Sequence, residues 1–170
     1  MRFAYTHAPG KGETDALLAA LAERLADDGL RPLGAVQTNT DRTDGRPCDM
    51  DLKILPEGPV IRISLLRPVG SVGCRLDADQ LERSTVLAAG AMEAGGDVFL
   101  LNKFGEREAS GGGFREVLAE AVAREIPVLV GVNPSGRDGF AAFAGGLAEE
   151  LEPNLDALAA WVTEARAEAS

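Results

Sequence analysis

Residues 97–102 read D-V-F-L-L-N, and residues 126–132 read I-P-V-L-V-G-V. Both stretches are nearly continuous apolar runs without the polar alternation of a half-exposed strand. Such runs are typical of strands that are buried on both faces of a parallel sheet. Because further strands, loops and helices alternate around them, the sequence predicts an α/β fold of three layers with a mainly parallel sheet.

The neighbouring segments predict the other elements of a single domain that spans residues 1–170. Four leucines between residues 17 and 25 recur at helical spacing and predict a helix at Asp15–Asp28. Residues 50–55 and 60–65 flank Pro-Glu-Gly-Pro, and apolar and polar residues alternate in the second of them, so they predict an inserted β-hairpin. The remaining predicted elements are strands at 3–6 and 33–38 and helices at 77–93, 114–125, 140–151 and 153–168.

The composition excludes several function classes. The chain has 170 residues and a formal net charge of −10. This acidic balance, without a cluster of lysine and arginine, argues against a nucleic-acid partner. The apolar runs are far shorter than the roughly 20 residues of a membrane helix, and the N-terminus lacks an apolar signal region. We therefore expect a cytoplasmic protein without membrane insertion.

The chain has two cysteines, Cys48 and Cys74, and one histidine, His7. This set is too small for a structural zinc site with the usual ligand spacing, so no resident metal is predicted. Free thiols are the expectation for both cysteines in a cytosolic protein. The alternative is that the two cysteines meet to coordinate a soft metal or to sense redox state.

The loop after the first predicted strand, residues 7–14, reads H-A-P-G-K-G-E-T. The phosphate-binding motif G-x-x-x-x-G-K-[ST] fits this frame at its second glycine and at its final hydroxyl residue. A glutamate stands where the motif has the lysine that contacts the β and γ phosphates, and this reversal weakens binding of an ordinary nucleoside triphosphate. Backbone N–H groups of the loop would still form an anion site. The predicted ligand-binding residues are Gly10, Lys11, Gly12, Glu13 and Thr14; the alternative is a tight turn without a ligand.

A second charge reversal stands at the end of the strand at residues 97–102. Enzymes with a phosphate-binding loop place an acidic residue there to hold magnesium, whereas this chain has Asn102 followed by Lys103. We therefore predict that Glu13 and Lys103 form an ion pair, or that Lys103 takes over the anion-facing role. The alternative is that both charges are solvated.

The order of these motifs resembles the P-loop nucleoside triphosphatases of the small thermophilic-phosphatase type. Those proteins have G-x-P-G-x-G-K-T, a hairpin, and then D-E-I-G-x-M-E-L before a helix. Gly105 and Glu108 match the second motif, whereas Asn102 and Lys103 depart from it at the two residues that matter for magnesium. The resemblance implies a P-loop fold with a degenerate nucleotide site.

The chain is also similar to an uncharacterised bacterial domain family with the motifs N-[KR]-F-G-x-x-E and G-C-R-L-D. Here these motifs are residues 102–108 and 73–77. Members of that family often neighbour genes for molybdenum uptake. The resemblance therefore implies a link to oxyanions.

Four further charged residues are candidates for a role in the site. Glu106 and Glu108 could act as a general base that positions water. Arg75 and Arg137 suit bidentate contact with phosphate or a similar oxyanion. The alternatives are solvated loop charges and, for Arg75, pairing with a nearby aspartate.

These observations predict a binding protein for a phosphate-containing ligand or a tetrahedral oxyanion, with weak or no hydrolysis. One alternative is an active nucleoside-triphosphate hydrolase that uses Lys103 in place of the loop lysine. Another is a non-catalytic interaction protein, for instance a regulator of metal uptake. The partner is a small anionic ligand, either a nucleotide or an oxyanion. No cofactor is identified, and the hairpin edge leaves pairing with a second copy open.

Overall fold

A computed structural model describes residues 2–72 and 75–169 of the chain. The strands are β1 (Phe3–Thr6), β2 (Pro32–Thr40), β3 (Asp49–Leu55), β4 (Val60–Arg62), β5 (Ser64–Leu65), β6 (Arg75–Leu76), β7 (Val98–Phe104), β8 (Val128–Val132) and β9 (Glu149–Glu150). The helices are α1 (Glu13–Asp27), α2 (Ala78–Ala91), α3 (Glu106–Ala109), α4 (Arg115–Ala123), α5 (Arg137–Ala144) and α6 (Leu155–Ala169). Short 3₁₀ turns follow α2 and β8.

Seven of the strands form one sheet in the order β4-β3-β2-β7-β8-β1-β9. All neighbouring strands from β2 to β9 in this order are parallel, whereas β2–β3 and β3–β4 are antiparallel. The hairpin of β3 and β4 thus extends the parallel sheet at one edge. The predicted mainly parallel sheet with an inserted hairpin is confirmed. Strands β5 and β6 form a separate two-stranded sheet.

Helices cover both faces of the sheet and complete the three predicted layers. Buried side chains of α1 and α6 pack on one face, and those of α2, α4 and α5 pack on the other. The position of strand β7 explains why its sequence is continuously apolar. Val98 and Leu100 join the first layer, and Phe99 and Leu101 join the second. Successive side chains of a strand point to opposite faces, so a strand buried on both sides needs apolar residues throughout.

The structure corrects two of the predicted segments. The helix predicted at 140–151 ends at Ala144, because Gly145 and Gly146 adopt left-handed backbone conformations with φ of 59° and 82°. The residues beyond them return to the sheet as β9. Residues 103–113 connect the strand predicted at 97–102 to the helix predicted at 114–125, and the charges and glycines of this segment favour a loop; it instead contains the end of β7 and the short helix α3.

The parallel strands bring three connecting segments to one rim of the sheet. β1, β7 and β8 are neighbours and end at Thr6, Phe104 and Val132. The segments that follow them therefore start side by side, which is where ligands bind in folds of this class. Within residues 2–72 and 75–169, no helix is both long enough and apolar enough to cross a membrane.

Candidate functional site

The loop between β1 and α1 is a compact turn that its own hydrogen bonds hold closed. Gly12 precedes the first residue of α1 and has φ of 73°, a left-handed conformation that favours glycine. The Glu13 amide donates to Gly10 O at 3.2 Å, and the Ala8 amide donates to Thr14 Oγ1 at 2.9 Å. The Thr14 hydroxyl is therefore engaged in shaping the loop.

The carboxylate of Glu13 folds back over this loop. Glu13 Oε2 accepts a hydrogen bond from the Gly10 amide at 3.2 Å. A Cβ atom added to Gly10 would collide with the same carboxylate, so a larger residue there would displace the Glu13 side chain. Glu13 thus covers one of the loop amides that could otherwise face an anion.

The predicted ion pair between Glu13 and Lys103 is not formed. Glu13 is engaged with Gly10, and Lys103 makes no ion pair within 4.0 Å with the residues that the structure describes. The Lys103 side chain is exposed at the end of β7. Its other predicted role, as the cation that faces an anion, stays a proposal.

A cavity of about 300 Å³ opens beside the loop, and we call it the loop cavity. Two of its lining residues are cationic, Lys11 and Lys103, and Asp15 supplies a carboxylate. His7 also lines it, and His7 Nδ1 is buried without a hydrogen-bond partner among the described residues. The other lining residues are Ala8, Pro9, Gly10, Gly12, Thr14, Asn102, Asn133 and Pro134.

A closed ring of hydrogen bonds joins α1 to the ends of β2 and β7. The Asn102 amide nitrogen donates to Asp15 Oδ1 at 2.8 Å and to Gln37 Oε1 at 3.2 Å. The Gln37 amide donates to Asn39 Oδ1 at 2.7 Å, and Asn39 in turn donates to Asp15 Oδ2 at 2.9 Å. Asn102 and Gln37 are buried. A carboxylate is thus present beside the expected acidic position, but α1 supplies it.

The sequence reasoning missed three members of this ring, namely Asp15, Gln37 and Asn39. Gln37 and Asn39 are two residues apart on β2, and polar residues at that spacing share a face of a strand. Asp15 directly follows the hydroxyl residue of the loop motif. Both signals are present in the sequence, but neither shows that α1 and two strands place these side chains together.

The donor set does not fit a resident magnesium ion. In a phosphate-binding loop the ion is held by the loop hydroxyl, an acid at the strand end and the phosphates. Here the Thr14 hydroxyl bonds Ala8, an amide stands at Asn102, and both Asp15 oxygens accept amide hydrogens. No group of three metal-ligating side chains occurs in the described part of the chain.

A second cavity of about 290 Å³ adjoins the first, and we call it the lateral cavity. The two cavities share Asn102, Lys103 and Asn133. The lateral cavity has an apolar wall and a polar margin. The apolar residues are Met50, Leu52, Ile63, Leu76, Leu81, Leu101 and Phe114; the other lining residues outside the shared set are Gln37, Gly105, Glu106, Arg107, Glu108 and Ser135.

The two glutamates predicted as general bases line the lateral cavity but differ in environment. Glu108 is buried, and its carboxylate accepts hydrogen bonds from the amides of Gly105 at 3.1 Å and Phe114 at 3.3 Å. It therefore clamps the segment between β7 and α4. Glu106 is exposed, which leaves it the better placed of the two to meet water.

Two predicted anion ligands lie away from both cavities. Arg75 is exposed on β6, in the separate two-stranded sheet. Arg137 begins α5 and lines a different cavity with Tyr5 and Phe140. The Asn133 side chain accepts from the Gly136 amide and closes the turn before α5, so Asn133 rather than Arg137 reaches the rim. Of the predicted ligand-binding residues, those that line the loop cavity are Gly10, Lys11, Gly12, Thr14, Asn102 and Lys103. Glu13 does not line the cavity, but its carboxylate accepts from the Gly10 amide.

Cys48 is disulfide-bonded, so the expectation of a free thiol is wrong for this residue. Cys74 and Gly73, the first two residues of the G-C-R-L-D motif, lie outside the described residues. The alternatives that the two cysteines coordinate a soft metal or sense redox state involve Cys74 and stay predictions.

The fold is similar to those of two solved structures. The chain superimposes on the crystal structure of THEP1 from the hyperthermophile Aquifex aeolicus with a TM-score of 0.61 and 17% identity, covering 96% of each chain. It superimposes on the solution structure of a human cancer-related nucleoside triphosphatase with a TM-score of 0.63 and 16% identity, covering 100% of this chain and 98% of that one. At these identities the likeness shows the fold alone.

Two sequence comparisons place the chain among its relatives. It is 34% identical over 151 residues to the molybdenum import ATP-binding protein ModC 2 of Bradyrhizobium diazoefficiens. That match covers 88% of this chain but only 17% of the relative. Residues 3–161 match the family DUF2478, which is described as a protein of unknown function. The chain therefore belongs to the DUF2478 family.

Proposed function

We propose that the loop cavity binds the phosphate group of a nucleotide or a related phosphorylated ligand, and that it does so without a tightly held metal ion and with weak or no hydrolysis. The observation that carries this proposal is Lys103. It lines the loop cavity and the lateral cavity, and it makes no ion pair with the described residues. A lysine that lines a cavity and makes no ion pair with the described carboxylates is suited to binding an anion.

The charges of the site favour a small phosphate group over a triphosphate. Lys11 and Lys103 attract an anion to the loop cavity, whereas Asp15 and Glu13 repel it. The loop lysine that contacts the β and γ phosphates is replaced by Glu13, whose carboxylate lies on the Gly10 amide. Each additional negative charge on a ligand therefore contributes less to its binding affinity here than it would beside a loop lysine.

The relatives support a nucleotide or an oxyanion as the ligand. ModC 2 is, by its name, an ATP-binding protein of molybdenum import, and this chain matches 17% of its length. We propose that this chain shares ATP binding and the link to molybdenum, and molybdate is therefore the oxyanion to test. His7 Nδ1 also supports the proposal that a ligand binds here, because a hydrogen bond from a polar group of the ligand would stabilise a buried nitrogen that has no partner among the described residues.

A hydrolase with a relocated lysine is the second candidate function. Glu106 and Lys103 line the same lateral cavity, and Glu106 is exposed. Lys103 would hold the transferred phosphoryl group, and Glu106 would orient the attacking water. Glu108 is less suited to this role, because its carboxylate is already bound by two backbone amides.

A thermal-shift panel at fixed ionic strength tests these functions. The ligands are AMP, ADP, ATP and GTP with and without magnesium, then phosphate, sulfate, molybdate and tungstate. A ligand at about 100 times its dissociation constant adds about 2.7 kcal/mol of stability, which raises Tm by several degrees for a domain of this size. We expect a nucleotide shift that magnesium does not increase and that is lost in Lys103→Gln. The matched control is Lys53→Gln, an exposed lysine on β3 that lines neither cavity.

The outcomes separate the candidates. A shift that requires magnesium, together with release of phosphate, would favour the hydrolase. A shift with molybdate or tungstate but with no nucleotide would favour an oxyanion-binding role. No shift with any ligand would contradict the proposal and favour a non-catalytic interaction protein.

A further inference from the structure

The lateral cavity is built for an organic group rather than for an ion. Its wall combines side chains of the hairpin, α2 and β7 with Phe114 at the start of α4. Leu52, Ile63, Leu101 and Phe114 are each at most 3% exposed, so the wall is fixed by the core behind it. Binding pockets for small organic molecules have this character, an apolar lining with a few placed polar groups.

The polar group at the junction of the two cavities is the side chain of Asn102. Its nitrogen must face Asp15, because a carboxylate can only accept, and that nitrogen donates to both Asp15 and Gln37. The side-chain oxygen of Asn102 makes no hydrogen bond with the described residues, and it is open to the cavity rather than buried. An acceptor open to the cavity can take a hydrogen bond from a donor on a ligand, such as a ring N–H or a hydroxyl.

Lys103 lies beside Asn102 and lines both cavities. A ligand whose phosphate occupies the loop cavity and whose body enters the lateral cavity would therefore pass both residues. The apolar wall would cover a flat ring, and the free Asn102 oxygen would accept from it.

We propose that the lateral cavity holds the aromatic body of a phosphomonoester whose phosphate lies in the loop cavity, with Lys103 between the two. This inference rests on the proposed function for the phosphate, and it adds the chemical class of the ligand. Burial of the ring against the apolar wall is the source of its added affinity.

Titration calorimetry with three probes tests the proposal: methyl phosphate, 1-naphthyl phosphate and 1-naphthol. We expect 1-naphthyl phosphate to bind at least tenfold more tightly than methyl phosphate. Ser135 is an exposed residue at the margin of the lateral cavity, so Ser135→Trp obstructs the cavity without disturbing the core. The Ser135 hydroxyl donates to Asn133 Oδ1 at 3.1 Å, and Ser135→Ala is the control for the loss of that hydrogen bond. This variant should lose most of the tenfold advantage and keep its affinity for methyl phosphate.

Thr43→Trp is the matched control, because Thr43 is exposed and lines neither cavity. It should bind all three probes like the unmodified protein. Equal affinity for the two phosphates, or an advantage that survives in Ser135→Trp, would overturn this inference and leave the proposed function standing. Binding of 1-naphthol that Ser135→Trp abolishes, with no binding of methyl phosphate, would overturn the proposed function and support the aromatic site. No binding of any probe would overturn both.

Discussion

Asp15 and Asn102 are joined by a hydrogen bond of 2.8 Å, from the amide of Asn102 on β7 to the carboxylate of Asp15 on α1. The strand end that holds an acidic residue in magnesium-dependent phosphate-binding enzymes here holds a donor that fixes an acid from the helix. The carboxylate comes from the helix, and the two side chains are parts of one hydrogen-bonded ring.

Asn102→Asp should destabilise the protein. The new carboxylate would face the carboxylate of Asp15 in a buried position and would replace a donor with an acceptor. Loss of a buried hydrogen bond and a like-charge contact together should lower the free energy of unfolding by about 2–4 kcal/mol at neutral pH. Urea denaturation followed by circular dichroism measures the change.

The exchange of the two residues provides the control. Asp15→Asn combined with Asn102→Asp restores one amide and one carboxylate, so the double variant should recover most of the lost stability. If the stability lost in the double variant equals the sum of the losses in the two single variants, the hydrogen bond between the two side chains contributes little.

Glu13→Gln should increase the affinity for inorganic phosphate. The substitution removes one negative charge from the loop but keeps an oxygen that can accept from the Gly10 amide. Removal of an exposed charge is worth about 0.5–1 kcal/mol, which corresponds to roughly two- to fivefold in affinity. Titration calorimetry at low ionic strength measures it. Glu57→Gln, an exposed change on the hairpin turn, should leave the affinity unchanged.

Glu108→Ala should lower stability because two buried backbone amides would lose their acceptor. Gly105 and Phe114 both donate to this carboxylate, so we expect a loss of about 2 kcal/mol in the free energy of unfolding. Glu106→Ala is the comparison, because Glu106 is exposed on the same short helix and should change stability by less than about 0.5 kcal/mol. Equal losses in the two variants would contradict the clamp.

The patterns that were read correctly from the sequence are those in which neighbouring residues determine the local structure. The apolar runs became β7 and β8, and the leucines at helical spacing became the buried face of α1. The helix predicted at 140–151 was too long, although the two glycines that end it are visible in the sequence. Glycines in a left-handed conformation are a common stop signal for a helix.

The site was predictable only in part, because its geometry depends on lateral order in the sheet. The loop motif marked Gly12 and Thr14, and the strand end marked Asn102 and Lys103. The ring through Gln37 requires that β2 lie beside β7, which no local pattern determines. The Glu13–Lys103 pair was inferred from charge alone, and it failed because the Glu13 carboxylate found a closer partner in its own loop.

The pH dependence of stability offers a last prediction, and it concerns Glu149 on β9. The guanidinium of Arg2 lies 2.6 Å from Glu149 Oε1, and the indole N–H of Trp161 donates to the same oxygen at 2.5 Å. The hydrogen bond from Arg2 makes the largest contribution, and together with the one from Trp161 it lowers the pKa of Glu149 below its ordinary value. The unfolded chain therefore binds a proton at a higher pH than the folded protein does. The stability from these contacts is present above the ordinary glutamate pKa of about 4.3 and is lost as the pH falls through the lowered folded value.

Glu149→Gln should accordingly be less stable than the unmodified protein at pH 7, and the difference should shrink as the pH falls from about 5 to below the folded pKa. Trp161 is the one tryptophan of the sequence, so its fluorescence reports the unfolding midpoint in urea at each pH. Glu150→Gln, the exposed neighbour on the same strand, should show no such pH-dependent difference. A difference for Glu149→Gln that stayed constant from pH 7 to pH 3 would mean that the charge of Glu149 does not act through Arg2 and Trp161.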